Sequence, residues 1–96
     1  MYARVFSFPS TSENRPAIEA MADDLYAFTR SLTGFVSATY MVSEDERRYA
    51  SVTLWRSKEE AVAAGASIRE KLGTVLEGLA TAPPETTINE VYEPKP

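Results

Sequence analysis

Six residues, Trp55-Arg56-Ser57-Lys58-Glu59-Glu60, constrain what this chain can fold into more than any others. Before them, Tyr49 to Trp55 is rich in aromatic and β-branched side chains that suit a pleated, half-buried surface. After them, Ser57 with Glu60 three positions on forms a capping box, the side chains satisfying N–H groups of a first helical turn. Ala61, Gly65, Ile68, Leu72, Val75, Leu76 and Leu79 then recur at helical spacing. A strand therefore passes into a helix with almost no loop between them.

The first half of the chain repeats that order in different letters. Tyr2 to Phe8 alternates as a strand, Pro9 to Arg15 is a polar loop, and Pro16 suits the first helical position, where a missing N–H costs nothing. Ile18, Met21, Ala22, Leu25, Phe28 and Leu32 make one helical face, and Gly34 is expected to end that helix as a left-handed cap. Phe35 to Val42 reads as a strand, joined to Tyr49–Trp55 by the charged hairpin Ser43 to Arg48. Gly73 followed by Thr74-x-x-Glu77 predicts a break and restart of the second helix. Pro83-Pro84 precedes a last strand over Thr86 to Tyr92, and residues 93–96 are expected to fray.

Residues 1–96 thus read as a single domain of order β-α-β-β-α-β. This is the α+β, ferredoxin-like arrangement, an antiparallel four-stranded sheet with both helices on one face. The other face of such a sheet normally alternates to polar in a monomer. Here the first strand sets Ala3, Val5 and Ser7 against Tyr2, Arg4, Phe6 and Phe8. The second sets Val36, Ala38, Tyr40 and Val42 against Phe35, Ser37, Thr39 and Met41. Apolar groups remain on both sides, so the free face calls for a cover. A second copy of the chain is the simplest one, which predicts a homodimer built as a dimeric α/β barrel.

Composition narrows the function. Fourteen acidic against 10 basic residues leave a net charge of −4, which argues against a nucleic-acid partner. No apolar run approaches the roughly 20 residues of a membrane span, and the alternating start lacks the apolar block of a signal peptide. The expectation is a cytoplasmic protein with no membrane partner. There are no cysteines and no histidines, which removes thiolate nucleophiles, the commonest general base and the usual zinc and haem ligands. Glu44-Asp45-Glu46 lacks the spaced ligands of a calcium loop and reads as a solvated hairpin tip.

Gly34-Phe35 opening the second strand, the Tyr40 region before an acidic hairpin, and Trp55-Arg56-Ser57-Lys58-Glu59-Glu60-Ala61 together resemble the dimeric α/β-barrel superfamily, specifically its antibiotic-biosynthesis-monooxygenase-like group. The resemblance covers roughly residues 2 to 92 as a fold pattern. It implies a cofactor-free monooxygenase acting on a small aromatic, polyketide-like or quinol molecule, with molecular oxygen as co-substrate. It also leaves open a non-catalytic binding or structural protein. Trp55 matches the family's tryptophan at the end of the third strand. The haem-degrading branch carries an asparagine on the first strand and a histidine on the second helix. This chain has neither, offering Ser7 and, near the histidine's place, Gly65, so haem is not expected.

Cofactor-free oxygenation needs a dry pocket, a hold on a phenol and a polar group for developing negative charge. Four residues are candidates for the catalytic site: Trp55, Tyr40, Tyr49 and Arg4. Trp55 could stack on a flat substrate or fasten strand to helix. Tyr40 and Tyr49, near the two ends of a hairpin, could orient a phenol or simply pack with their hydroxyls at a rim. Arg4 could hold an oxyanion through its planar fork or pair with Glu90 on the neighbouring last strand. Met21, Leu25, Tyr26 and Phe28 could wall a pocket or form a plain core stripe. Gly65 could admit a ligand or a close helix–sheet approach.

Overall fold

Alternating side chains on both halves produce the expected sheet. The computed structural model describes all residues 1–96. Its strands are β1 (Tyr2–Pro9), β2 (Phe35–Val42), β3 (Arg48–Trp55) and β4 (Glu85–Glu90), and its helices are α1 (Arg15–Thr29) and α2 (Lys58–Leu72). The sheet is four-stranded, in the order β2-β3-β1-β4, with every neighbouring pair antiparallel. The fold class is α+β and ferredoxin-like, as the order of elements requires.

Register decides which side chains meet the helices. Tyr2 pairs with Trp55, Arg4 with Thr53, Phe6 with Ser51 and Phe8 with Tyr49. These residues form the helix-covered face, where Arg4, Phe8, Tyr49, Thr53 and Trp55 are buried. Ala3, Val5, Ala50, Val52 and Leu54 occupy the middle of the opposite face, flanked by Ser37 and Thr39 on β2 and by Thr87 and Asn89 on β4. One strand departs from the expected alternation. A bulge between Phe35 and Ser37 brings Phe35 opposite Trp55, so Phe35 joins the helix-covered face and Val36 is left 40% exposed.

The helices differ from expectation at their ends. The α1 helix is preceded by a short 3-10 turn, Ser12–Asn14. It stops at Thr29, and the backbone of Arg30 caps it by donating to the Tyr26 carbonyl. Gly34 does adopt a left-handed φ of 86°. It serves the turn into β2 rather than the helix end, because Leu32 already lies beyond the last helical turn. A Cβ at Gly34 would also collide with the Glu60 carboxylate. On α2, the capping box forms: the Glu60 N–H donates to Ser57 Oγ at 3.2 Å, and that hydroxyl donates to Glu60 Oε1 at 3.0 Å. Gly73, with φ 53°, breaks α2, and a 3-10 turn at Leu76–Gly78 follows.

The core falls into two clusters. Phe8, Ile18, Tyr49 and Leu76 form one, with Phe6, Met21, Val42 and Leu79 against it. Trp55, Ala61 and Ala64 form the other, with Tyr2, Leu32, Phe35 and Ile88 around them.

Candidate functional site

The first cluster borders a half-open cavity of about 240 Å³ between α1 and the sheet. Ile18, Met21, Ala22 and Leu25 supply its helix wall, while Phe6, Phe8, Tyr40, Val42, Tyr49 and Ser51 supply its sheet wall. Both walls follow from patterns visible in the chain: the three- and four-residue steps of α1 and the every-second-residue rule of the strands. The space lies between Ile18, Met21 and Leu25 of α1 and the aromatic side chains of the sheet.

The tyrosines differ in how they are held. Tyr49 is 4% exposed, stacks on Phe8 with ring centroids 5.8 Å apart, and donates its hydroxyl to the Thr11 carbonyl at 3.1 Å. Burial pushes its phenol above the ordinary value, and the nearby Glu46 carboxylate adds to the rise. Tyr40 is half-open and meets Tyr26 edge-on at 6.3 Å. Burial raises its phenol too, with the Thr29 hydroxyl acting in the opposite sense. Both shifts keep the phenols protonated at neutral pH.

The charged part of the lining consists of Arg15 and Glu19, which the sequence reading did not single out. Arg15 Nε meets Glu19 Oε2 at 3.2 Å one helical turn on, and Arg15 Nη1 pairs with Glu46 on the β2–β3 hairpin. That hairpin is rigidly built. Asp45 accepts the Ser43 hydroxyl at 2.7 Å and the Arg47 N–H at 3.1 Å, which holds its carboxyl below the usual range. Glu46 follows at φ 60°. The i, i+4 spacing of Arg15 and Glu19 was a readable signal; the Glu46 contact, between residues far apart in the chain, was not. Ser51 was missed as well. It lies opposite both Phe6 and Tyr40, on the sheet floor beneath α1.

Trp55 and Arg4 lie outside this cavity's lining. Trp55 is 0% exposed, its indole N–H donating to Thr53 Oγ1 at 2.8 Å and its ring edge-on to Phe35 at 5.7 Å. Ala61 and Ala64 of α2 close over it. Arg4 does not make the expected pair with Glu90. Glu90 sits opposite Tyr2 and accepts that hydroxyl at 3.4 Å, while Arg4 lies opposite Ile88, two residues away in register. The Gly65 question resolves too: a Cβ there would lie 3.0 Å from Arg4 Nε, so the glycine makes room for the arginine. Of the α1 residues, Met21 and Leu25 do wall the cavity, whereas Tyr26 and Phe28 do not line it.

No group of three or more acidic residues is placed to hold a metal ion. No helix is long and apolar enough to cross a membrane. The sequence matches no protein-family model and no curated protein. Solved structures do match in fold. Rv0793 from Mycobacterium tuberculosis superposes with a TM-score of 0.81 at 20% identity, over 97% of this chain and 96% of that one. The monooxygenase ActVA-Orf6 of Streptomyces coelicolor, solved with nanaomycin D, gives 0.76 at 24% identity, over 99% and 91%. The cofactor-independent oxygenase SnoaB of Streptomyces nogalater gives 0.77 at 20% identity, over 99% and 96%. Over nearly its whole length, the chain has the fold of antibiotic-biosynthesis-monooxygenase-like proteins.

Proposed function

We propose that the chain is a cofactor-independent monooxygenase that oxidises a small phenol or quinol in the cavity beneath α1. The observation that carries this reading is the cavity itself: about 240 Å³, mostly apolar, with the Tyr40 and Tyr49 rings and the Ser51 position in its wall. Its size, a little below the roughly 300–1,000 Å³ of common ligand pockets, suits one or two fused rings. Two of the structures that share the fold are described as a monooxygenase and a cofactor-independent oxygenase.

The chemistry needs no external reductant. A phenol with an open para position plus one dioxygen gives a quinone plus one water: one oxygen atom enters the ring and the other leaves as water, and the substrate supplies the electrons. The protein has to hold the phenolic oxygen, exclude water and tolerate developing negative charge. Tyr40 orients the phenolic oxygen as a hydrogen-bond donor, and Tyr49, tied to Thr11, sets the position of the ring. Arg15, its charge matched by Glu19 and Glu46, holds the rim of the cavity in place through those ion pairs. Trp55 is a positioning residue that fixes the corner from β3 into α2, and Arg4 takes no contact role here.

The protein acts as a homodimer in this reading, because the uncovered sheet face carries an apolar middle of Ala3, Val5, Ala50, Val52 and Leu54. Light scattering at micromolar concentration is expected to return twice the mass of the chain; a monomer would remove the dimer. Oxygen consumption over a panel of naphthols and quinols tests the activity. Turnover in the wild type, lost by about 100-fold or more in Tyr40→Phe, supports the assignment. A second reading, binding without turnover, draws on the two protonated tyrosines. It predicts saturable binding of the same naphthols with no oxygen uptake.

A further inference from the structure

One row of side chains crosses the helix-covered face of the sheet. Tyr40 lies opposite Ser51, Ser51 opposite Phe6, and Phe6 opposite Thr86, so the row runs through all four strands. Adjacent strands lie about 4.8 Å apart, which makes the row about 14 Å long. Tyr40 and Ser51 line the cavity beneath α1. Thr86 lines a second, open hollow of about 640 Å³ at the end of α2, walled by Leu72, Leu76, Ala80 and Pro83 among others. Phe6 is the one residue that lines both, a large ring between the short side chains of Ser51 and Thr86.

Phe6 is held from both sides along its own strand. The Phe8 ring centroid lies 5.9 Å from its own on one side, and the Arg4 guanidinium 5.3 Å from it on the other. Arg4 is buried against α2, where Gly65 gives it room: a Cβ there would lie 3.0 Å from Arg4 Nε. A ring held between a buried guanidinium and a second ring is a wall rather than a swinging gate. We propose that Phe6 sets the length of phenol that the cavity beneath α1 accepts. The inference rests on that cavity being the phenol site. With the Phe6 ring in place, one or two fused rings fill the space beside Tyr40 and Ser51. Without it, the cavity opens into the hollow over Thr86, and a phenol nearly as long as the row fits. Leu72, Leu76 and Ala80 suit an apolar extension there, and Arg69 and Glu77 put one charge of each sign in the lining, which favours no charged group at the far end.

Anaerobic fluorescence titration with 2-naphthol and with the longer, rigid 6-phenyl-2-naphthol tests it, since binding is then read without turnover. The wild type is expected to bind 2-naphthol about tenfold or more tighter than the longer compound, the scale of discrimination that size gives in an apolar pocket. Phe6→Ala should tighten the longer compound about tenfold or more. Adding Thr86→Phe to Phe6→Ala should plug the far side of the row and cancel that gain. Phe6→Leu should shift the preference in the same direction by less, and it carries the test where Phe6→Ala fails to fold. A wild type that binds the longer compound as tightly as 2-naphthol, a preference unchanged in the folded Phe6 variants, or a gain that survives Thr86→Phe overturns Phe6 as the wall and leaves the phenol site standing. A wild type that binds neither naphthol overturns the phenol site, and this inference with it.

Discussion

The two helices cover the same sheet in opposite ways. The α1 helix faces it with Ile18, Met21 and Leu25 and leaves a cavity of about 240 Å³. The α2 helix faces it with Ala61, Ala64 and Gly65 and lies close enough to seal Trp55 completely. Long side chains act as spacers, whereas small ones let helix and strand approach until the largest side chain fills the gap. The contrast is local: the small residues Ala61 and Ala64 early in α2 leave no space over Trp55, whereas Ile18, Met21 and Leu25 on α1, and Leu72 at the far end of α2, border open space. A cavity beneath α1 and a sealed tryptophan beneath α2 follow from the same rule.

The sharpest test of that contrast is Trp55→Ala. It should cost about 3–5 kcal/mol in urea unfolding, because deleting this fully buried ring leaves a cavity among Ala61, Ala64, Tyr2, Leu32, Phe35 and Ile88. Trp55→Phe should cost less and leave oxygen uptake per folded molecule close to wild type. A loss of uptake without a loss of stability would put Trp55 in the chemistry.

A matched pair comes next. Ala64→Leu overpacks the solid half and should destabilise by about 1–3 kcal/mol, whereas Ala22→Leu enters the hollow and should cost well under about 1 kcal/mol while abolishing naphthol binding. Equal costs for the two, measured by thermal unfolding, would erase the distinction between the halves.

Tyr49→Phe should cost about 1 kcal/mol, since the hydrogen bond to the Thr11 carbonyl is lost. Its pH dependence carries a further sign. Because burial raises the folded-state phenol above 10.0, the folded protein keeps that proton to higher pH than the unfolded chain. The associated stability is present below pH 10.0 and is lost as the pH climbs through the folded value. Alkaline unfolding should therefore be shallower in Tyr49→Phe; an unchanged slope would mean that Tyr49 is not held neutral by its surroundings.

The smallest effects concern Gly65 and Arg15. Gly65→Ala should be more favourable by up to about 1 kcal/mol in an Arg4→Ala background than in the wild type, where the new methyl meets Arg4 Nε. A double-mutant cycle with no coupling would detach the glycine from the arginine. Arg15→Gln should cost little stability, and less still at high salt, since Arg15 and its partners Glu19 and Glu46 are substantially exposed.

Much of this was present in local patterns. Period-two and period-3.6 spacing identified every strand and both helices, and Ser57 with Glu60 marked the start of α2 within a residue. Tyr40 and Tyr49 were readable as possible neighbours because a hairpin brings its two ends together, and both line the cavity. Arg15, Glu19 and Ser51 drew no attention, since an arginine before a proline and a serine in a strand are ordinary until something packs opposite them.

The chain by itself determined the order of elements, the faces of β1 and β3, the helix caps and the apolar middle of the open sheet face, because each depends on residues near one another in sequence. Only the tertiary structure decided the rest. The bulge that turned Phe35 inward, the choice of Glu90 for Tyr2 rather than Arg4, the ion pair from Arg15 to Glu46 and the burial of Trp55 under two alanines all depend on register and helix–sheet distance. Those are set by the sum of many side-chain volumes, and no short stretch of sequence contains that sum.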